Sequence, residues 1–303
     1  MQGEQQLGMK QHIRKKRTLP KRVIPYLLIF PAILFVLGVL GYAVISGTLL
    51  SFFRYDLSYV DKPFVWFDNY IYLFNNENFQ NALVRSLIFV LSSVVLGLIL
   101  AMSFALSLYK VKTMKNTFKG LALIPYLVSG IATAIMFRFM FSSDVGLVNM
   151  VLASFGFEPI LFLSSPNWAV FVTVLANVWH IVPFSILILL AGLQSIDNEL
   201  FQAAEVDGAN KYYVLTKIIL PLIAPMMGIA MIWLSFASFN MFDVVLPLTG
   251  GGPNRATEFM AVYMYNVAFT ELKYSLGSTV MVFILLFNVG TSMLYLKIFK
   301  ASE

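Results

Sequence analysis

The chain has 303 residues, of which 59% are hydrophobic and only 12% are charged, whereas soluble domains carry roughly a quarter charged residues. This deficit, with 28 Phe and 14 Tyr, indicates an integral membrane protein rather than a soluble domain. The absence of cysteine and the presence of only two histidines exclude a disulfide framework, thiolate chemistry and a zinc site built from these residues. The net charge of +6 comes from basic residues beside apolar runs, so membrane topology explains it better than a nucleic-acid partner does.

The N-terminal 22 residues are polar and basic, and all the lysines and arginines of this tail lie between Lys10 and Arg22. The apolar run that follows is too long for a signal peptide, and no small-residue cleavage site lies in the usual place. Residues 1–22 are therefore predicted to form a cytoplasmic anchor. A nucleic-acid-binding arm is the alternative that the charge leaves open.

Six apolar runs follow the tail, and a bilayer span needs roughly 20 residues. The predicted spans are Ile24–Leu50, Leu87–Tyr109, Leu121–Phe141, Trp168–Leu193, Ile218–Leu248 and Tyr274–Leu296. The third run is interrupted by Arg138 and the fifth contains Asp243, each near the predicted outer end. The sequence therefore predicts an all-α integral membrane protein with six transmembrane helices.

Lysine and arginine are distributed unevenly among the loops, which predicts the orientation of the chain. They concentrate in the tail, in the second loop (Lys110–Lys119), in the fourth loop (Lys211 and Lys217) and after the last run (Lys297 and Lys300). The remaining loops hold fewer, so both termini and the fourth loop are predicted to be cytoplasmic.

The loops predicted to lie outside carry three recognisable patterns. Trp66–Phe74 is rich in aromatic residues and favours an interfacial belt. Gly146–Phe157 is predicted to be a short amphipathic helix at the outer surface. Thr249–Pro253 contains three consecutive glycines, but no Gly-Lys-Ser/Thr follows, so the sequence does not predict a phosphate-binding loop.

The fourth loop is the most polar segment of the C-terminal half and is predicted to form two short helices joined by a bend. Asp197 is a predicted N-cap of the first helix. Gly208 is expected to end that helix in the left-handed conformation, and Asn210 is expected to cap the second. Pro221 and Pro225 are expected to bend the second helix near its start.

Three groups of residues in this region carry a family resemblance: Gln202-Ala203-Ala204, Asp207-Gly208-Ala209 and Leu220-Pro221. In type and spacing they resemble the EAA loop of the membrane subunits of bacterial ABC importers, in the carbohydrate-uptake branch that includes the maltose transporter. The resemblance covers about residues 66–300. It implies a type I importer permease fold, with a first transmembrane helix and outer loop over 23–65 and a transport core of five helices over 66–300.

The resemblance also implies that the loop over 197–217 is a coupling loop that contacts an ATPase subunit. The residues implied in that contact are Phe201, Gln202, Ala203, Ala204, Asp207 and Gly208. The family's glutamate is Gln202 here, which leaves a hydrogen bond in place of the ionic contact usually ascribed to the glutamate.

A sugar presents hydroxyl groups and apolar ring faces, so its site needs polar partners and aromatic surfaces. Candidates on the third, fourth and fifth runs are Tyr126, Asn177, Trp179, Ser238, Asn240 and Asp243. The resemblance implies that Tyr126, Asn177 and Ser238 line a sugar site, whereas Met241, at a further matching position, is apolar. The alternative is that these polar residues serve helix packing.

Three ionisable residues, including Asp243, lie within the predicted spans, where such groups are functional candidates. Arg138 is expected to reach toward the membrane surface. Asp243 is expected either to pair with Arg138 or to face a cavity. His180 is interpreted as a hydrogen-bonded structural residue rather than a proton carrier.

Together these features predict the permease subunit of an ATP-driven, binding-protein-dependent sugar importer, forming half of a translocation pathway that works by alternating access. The resemblance implies a second permease, two cytosolic ATPases that bind ATP and Mg, and an extracytoplasmic solute-binding protein. The subunit itself is expected to be neither an enzyme nor the holder of a cofactor, and to lie in the bacterial cytoplasmic (inner) membrane. An ion-coupled secondary transporter is the alternative, but it would need an intramembrane charge relay. A membrane-embedded enzyme would need clustered acids, bases or metal ligands.

Overall fold

The computed structural model of the chain describes residues 24–56, 61–111 and 113–300. The predicted basic tail, residues 1–22, lies outside these ranges. The described part is helical. Its strand-type pairing is limited to two isolated bridges, Phe53–Phe64 and Asp56–Lys273. Two compact units divide the chain, one ending at Ser46 and the other beginning at Gly47.

The described helices are joined by connections of unequal length. In chain order they are α1 (Ile24–Val36), α2 (Tyr42–Leu50), α3 (Asp68–Phe74), α4 (Glu77–Lys110), α5 (Lys115–Leu127), α6 (Gly130–Met140), α7 (Leu147–Ser154), α8 (Pro166–Gln194), α9 (Asn198–Val206), α10 (Lys211–Tyr213), α11 (Leu220–Leu222), α12 (Ala224–Phe239), α13 (Phe242–Thr249), α14 (Met260–Tyr265) and α15 (Tyr274–Lys300). The segments Leu37–Gly41, Val214–Ile219 and Asn266–Thr270 are π-helical.

Four of the predicted spans are long, apolar helices. Leu28–Leu50, which runs through α1, its π-helical turn and α2, has 23 residues; α4 has 34, α8 has 29, and α15 is long enough over Tyr274–Phe299. Large apolar side chains on α1, such as Tyr26 and Phe35, are exposed, as suits a helix that faces hydrocarbon. The first, second, fourth and sixth predicted spans are thus helices long and apolar enough to cross a membrane, although α4 begins ten residues before the predicted Leu87.

The third and fifth predicted spans are not single helices, which corrects the sequence prediction. The chain bends by 87° between α5 and α6, and by 72° between the segment Lys211–Leu222 and α12. Counting each bent pair as one span gives six candidate spans, and counting only unbroken helices gives four. Length and composition alone therefore support between four and six spans.

Each bend has a local cause in the sequence. Pro125 lacks an N–H and cannot bond the carbonyl one turn back, and the helix ends two residues later, with extended backbone at Val128 and Ser129. In the fifth span the break falls at Ile223, between Pro221 and Pro225, as predicted. A second break, at Asn240 and Met241, separates α12 from α13 and was not predicted.

Helix α8 is the centre of the second unit. Within its most apolar window 61% of the residues are buried, against 33% for α4 and 17% for α15. Small residues let its neighbours approach: a Cβ added to Gly97 of α4 would lie 3.0 Å from Leu234 of α12 and 3.4 Å from Val182 of α8. Close backbone approach through small residues is the usual way in which membrane helices pack.

The loops at the N-terminal end of α8 are ordered by buried polar side chains. The predicted short helix within Gly146–Phe157 is confirmed as α7. Asn149, which is buried, donates to the carbonyls of Ser142 (3.2 Å) and Ile160 (3.0 Å) and accepts from the Ile160 N–H (2.9 Å). These bonds fix the segment that joins α6 to α8.

The glycine-rich turn after α13 is anchored in the same way. Glu258, only 5% exposed, accepts from Arg255 Nε at 2.7 Å and from Asn266 Nδ2 at 3.0 Å. The hydrogen bond that Arg255 donates to Glu258 raises the pKa of the Arg255 guanidinium. Met260 N–H donates to the Ser86 hydroxyl at 2.7 Å, which ties the turn to α4.

Candidate functional site

The polar segment over 197–217 has the local structure that its sequence predicts. Asp197 accepts from the Glu199 N–H at 3.1 Å and caps α9. Gly208 follows the helix with φ of +71°, a conformation that glycine adopts at low cost. Asn210 Oδ1 accepts from the Tyr213 N–H at 2.8 Å and caps α10. The two helices are thus held by their own caps and form a short hairpin, which we call the 197–217 hairpin.

The hairpin presents most of the residues that the sequence selected for partner contact. Gln202, Ala203, Asp207 and Gly208 are exposed, and a Cβ added to Gly208 would meet nothing within 4 Å. A groove of about 560 Å³ lies between the two helices of the hairpin. Ala203, Ala204, Asp207, Gly208, Tyr213 and Lys217 are among the residues that line it. The small side chains leave a surface that a partner can approach closely.

Two of the selected residues face inward and connect the hairpin to the bundle. Ala204 is 6% exposed. The ring of Phe201 is half-buried and lies 6.1 Å, between centroids, from the ring of Tyr109 at the C-terminal end of α4. This aromatic contact joins α9 of the hairpin to α4 of the bundle.

Asn177 and Ser238, two of the predicted sugar-site residues, meet in the interior of the bundle. Asn177 is fully buried, and its Nδ2 donates to Ser238 Oγ of α12 and to Ser93 Oγ of α4, both at 2.9 Å. Its Oδ1 is buried without a hydrogen-bond partner. In this conformation the three residues join α4, α8 and α12, which is the packing role that the sequence left open.

Tyr126 lies in a separate group of aromatic residues at the bend between α5 and α6. Its ring is 5.6 Å from Phe184, 5.9 Å from Trp233 and 6.3 Å from His180, between centroids. His180 Nδ1 is 3.4 Å from the hydroxyl of Thr133 on α6, in line with the structural interpretation of this histidine. We call Tyr126, His180, Phe184 and Trp233 the Tyr126 cluster, and none of its members is fully buried.

Asp243 lies at the same bend and packs against the start of α6. A Cβ added to Gly130, the first residue of α6, would lie 1.9 Å from Asp243 Oδ2. The predicted pairing with Arg138 is not formed, because Arg138 Nη1 donates instead to the carbonyl of Pro247 at 3.3 Å and no ion pair of Asp243 occurs in the described ranges. Asp243 is half-buried, and its facing a cavity stays a prediction.

Trp179 and Asn240 are not brought together with the other candidates. Trp179 packs against Phe137 at 5.8 Å and lines an apolar cavity of about 280 Å³ with Pro125 and Pro183. Asn240 ends α12, is exposed, and donates to the carbonyl of Phe236 at 2.8 Å. The six candidates thus divide into a buried pair, a pair at the bend and two separate residues.

Sequence reasoning missed Ser93, Phe184 and Trp233. Phe184 lies seven residues, or two helical turns, after Asn177 and so shares a face of α8 with it. This spacing was the sequence signal that could have identified Phe184 as a candidate. Ser93 and Trp233 carried no comparable signal, since each belongs to another helix. Within the described ranges no group of three or more His, Asp or Glu side chains is arranged to hold a metal ion.

The family model of the inner membrane component of binding-protein-dependent transport systems matches residues 93–300. The chain belongs to this family. The match includes the 197–217 hairpin, the Tyr126 cluster and every candidate sugar-site residue. The permease is therefore a multi-pass membrane component of a transport system.

The permease is similar to curated proteins along almost its whole length. It is 31% identical to the trehalose/maltose transport system permease protein MalF of Thermococcus litoralis, over 96% of this chain and 98% of that protein. It is also 31% identical to the sulfoquinovosyl glycerol transport system permease protein SmoG of Agrobacterium fabrum, over 93% of this chain and 92% of that protein. The similarity to these transport permeases thus extends well beyond residues 93–300.

The fold is also found among solved structures. A chain of a bacterial ABC transporter involved in the import of the acidic polysaccharide alginate matches the permease with a TM-score of 0.77 at 22% identity, over 93% of this chain and 96% of that chain. At this identity the likeness establishes the fold, which is that of type I importer permeases, and leaves the solute to be inferred from the residues.

Proposed function

We propose that the chain is one of two permease subunits of an ATP-driven importer that takes up a carbohydrate delivered by an extracytoplasmic binding protein. The observation that carries the proposal is the family match over residues 93–300, which contains both the hairpin and the polar residues of the bundle. The relative from Thermococcus litoralis is named as a trehalose/maltose permease, which supports a neutral sugar as the first class to test.

We place the 197–217 hairpin, both termini and the basic loops in the cytoplasm. The support is the distribution of lysine and arginine, which favours the cytoplasmic side. The hairpin then meets a cytosolic ATPase through Gln202, Ala203, Asp207 and Gly208, which are exposed. ATP and Mg are bound by the ATPase pair and not by this subunit.

The hairpin is proposed to act as a rigid lever. Its helices are capped at Asp197 and Asn210, so they resist fraying under load. One end contacts α4 through Phe201 and Tyr109, and the other continues through a π-helical segment into the bend before α12. Closure of the ATPase pair shifts the equilibrium between inward-open and outward-open forms, because the ATP-bound pair has a higher affinity for one of them.

The sugar site is proposed to form where the bent spans meet. The Tyr126 cluster supplies an aromatic surface for a sugar ring, and Asp243 beside it accepts from hydroxyl groups. Asn177 and Ser238 bond each other in this conformation and would reach the sugar when α8 and α12 move apart. Trp179 and Asn240 contact neither group here, so we assign them a lesser part.

Reconstituted vesicles test the proposal directly. We expect at least one radiolabelled disaccharide from a panel containing trehalose and maltose to accumulate only when both permeases, the ATPases, ATP and the binding protein are all present. Leaving out the ATPases is expected to reduce uptake to the level of empty vesicles. Accumulation that follows a proton or sodium gradient without ATPases would overturn the proposal.

A further inference from the structure

A polar cavity of about 460 Å³ lies at the end of the bundle opposite the 197–217 hairpin. It opens between the C-terminal ends of α6 and α13 and the segment that leads into α8. Helix α8 has 29 residues, and at about 1.5 Å per residue its two ends are about 43 Å apart. The residues that line the cavity include Arg138, Ser142, Ser143, Ser164 and Thr249.

The cavity is distinct from the proposed sugar site. Arg138 lies eight residues beyond Gly130 along α6, which places it about 12 Å from the bend, at about 1.5 Å per residue. None of the members of the Tyr126 cluster, and neither Asn177 nor Ser238, lines the cavity.

Arg138 brings a positive charge with unused hydrogen-bonding capacity. Its guanidinium is exposed and makes one long bond, 3.3 Å, to the carbonyl of Pro247. No carboxylate in the described part of the chain pairs with it. A guanidinium carries five N–H donors, so most of them are left for solvent or a ligand.

The neighbouring hydroxyl groups add donors of the same kind. In the described ranges the side chains of Ser142 and Ser164 have no hydrogen-bond partner, whereas the Ser143 hydroxyl donates to Asp144 at 2.8 Å.

The aromatic ring of Phe162, 4% exposed, forms part of the wall of the cavity. A charge beside a wall of low polarity acts more strongly on a ligand than one surrounded by water.

We propose that this cavity is an oxyanion subsite in which Arg138 binds a carboxylate, sulfonate or phosphate group, with Ser142 and Ser164 donating alongside. A planar guanidinium matches such groups with two parallel N–H bonds. The ends of α6 and α13 bring partial negative charge to the cavity, which stabilises Arg138 and keeps the affinity for an anion modest. The group can belong to an acidic carbohydrate or to a phospholipid headgroup.

Binding to the purified transporter complex in phosphatidylcholine nanodiscs tests the proposal. The probes are sodium galacturonate and, at equal ionic strength, neutral galactose with sodium chloride. We expect galacturonate to raise the midpoint of thermal unfolding by a few degrees and galactose to leave it unchanged. Arg138→Gln should abolish the shift, Arg138→Lys should retain part of it, and Arg54→Gln, which removes a positive charge outside the cavity, should retain all of it.

A second set of nanodiscs identifies the source of the anion. If added phosphatidylglycerol raises the midpoint in the wild-type complex but not in Arg138→Gln, and galacturonate has no effect, the subsite holds a lipid headgroup. Equal shifts with galactose and galacturonate, shifts that survive Arg138→Gln, or no response to either anion would overturn the proposal. The readout requires no transport, so this result is independent of the vesicle experiment.

Discussion

Replacing Gly208 by proline is expected to abolish ATP-driven uptake while the chain still inserts into the membrane. Gly208 has φ of +71° and its N–H donates to the Glu205 carbonyl at 3.1 Å. Proline fixes φ near −65°, which differs by about 130° or more from the native φ of Gly208. Proline also has no N–H to donate. The turn between α9 and α10 must then rearrange, and the exposed face at Ala203 no longer matches the ATPase.

The measurement is uptake and stimulated ATP hydrolysis in vesicles, with the amount of assembled complex determined in parallel. Gly156→Pro is the matched control, because Gly156 is also exposed, has φ of +83°, and a Cβ added to it would meet nothing within 4 Å. It lies after α7, far from the hairpin in the bundle. Normal coupled uptake in Gly208→Pro, or an equal loss in both variants, would contradict the coupling role of the hairpin.

Replacing Gly130 by alanine is expected to disturb the bend that shapes the proposed sugar site. The new Cβ would lie 1.9 Å from Asp243 Oδ2 and 2.5 Å from its Cγ, far inside van der Waals contact. Overpacking of this kind costs about 1–3 kcal/mol. We expect a thermal unfolding midpoint several degrees lower and a marked loss of uptake.

Two further variants show whether the clash with Asp243 is the cause. Gly120→Ala is the control, since a Cβ there meets nothing within 4 Å, and it should leave both stability and uptake unchanged. In the double variant Gly130→Ala, Asp243→Ala the clash is removed, so the unfolding midpoint should return to that of Asp243→Ala alone. Additive losses in the double variant would show that the two residues do not press on each other.

The parts of the fold that the sequence predicted are those set by neighbouring residues. The caps at Asp197 and Asn210 and the left-handed Gly208 depend on a few adjacent positions, and each formed as expected. The long apolar helices α4, α8 and α15 also follow from composition, because about 20 apolar residues in a row suffice to cross a bilayer.

The parts that the sequence did not predict are contacts between distant residues and changes of helix direction at a break. Hydropathy alone does not mark the breaks at Ser129 and Asn240, because both residues lie within apolar runs, although Pro125 stands shortly before the first break. The bonds of Asn177 join it to residues 84 and 61 positions away, Ser93 and Ser238. The residue types suggested a sugar site. Only the packing shows that Asn177 and Ser238 bond each other and are buried in the present conformation.

The central claim is that force enters this subunit at the 197–217 hairpin, from an ATPase in the cytoplasm. The chain contains no cysteine, so an introduced cysteine is the only one in this subunit. The two variants are Ala203→Cys on the hairpin and Ser154→Cys on α7, both at exposed positions. We predict that the cysteine at position 203 cross-links to the ATPase subunit and is unreactive toward a membrane-impermeant maleimide in intact cells, whereas the cysteine at position 154 reacts. Labelling of position 203 from outside, or its failure to cross-link in an actively transporting complex, would contradict the claim.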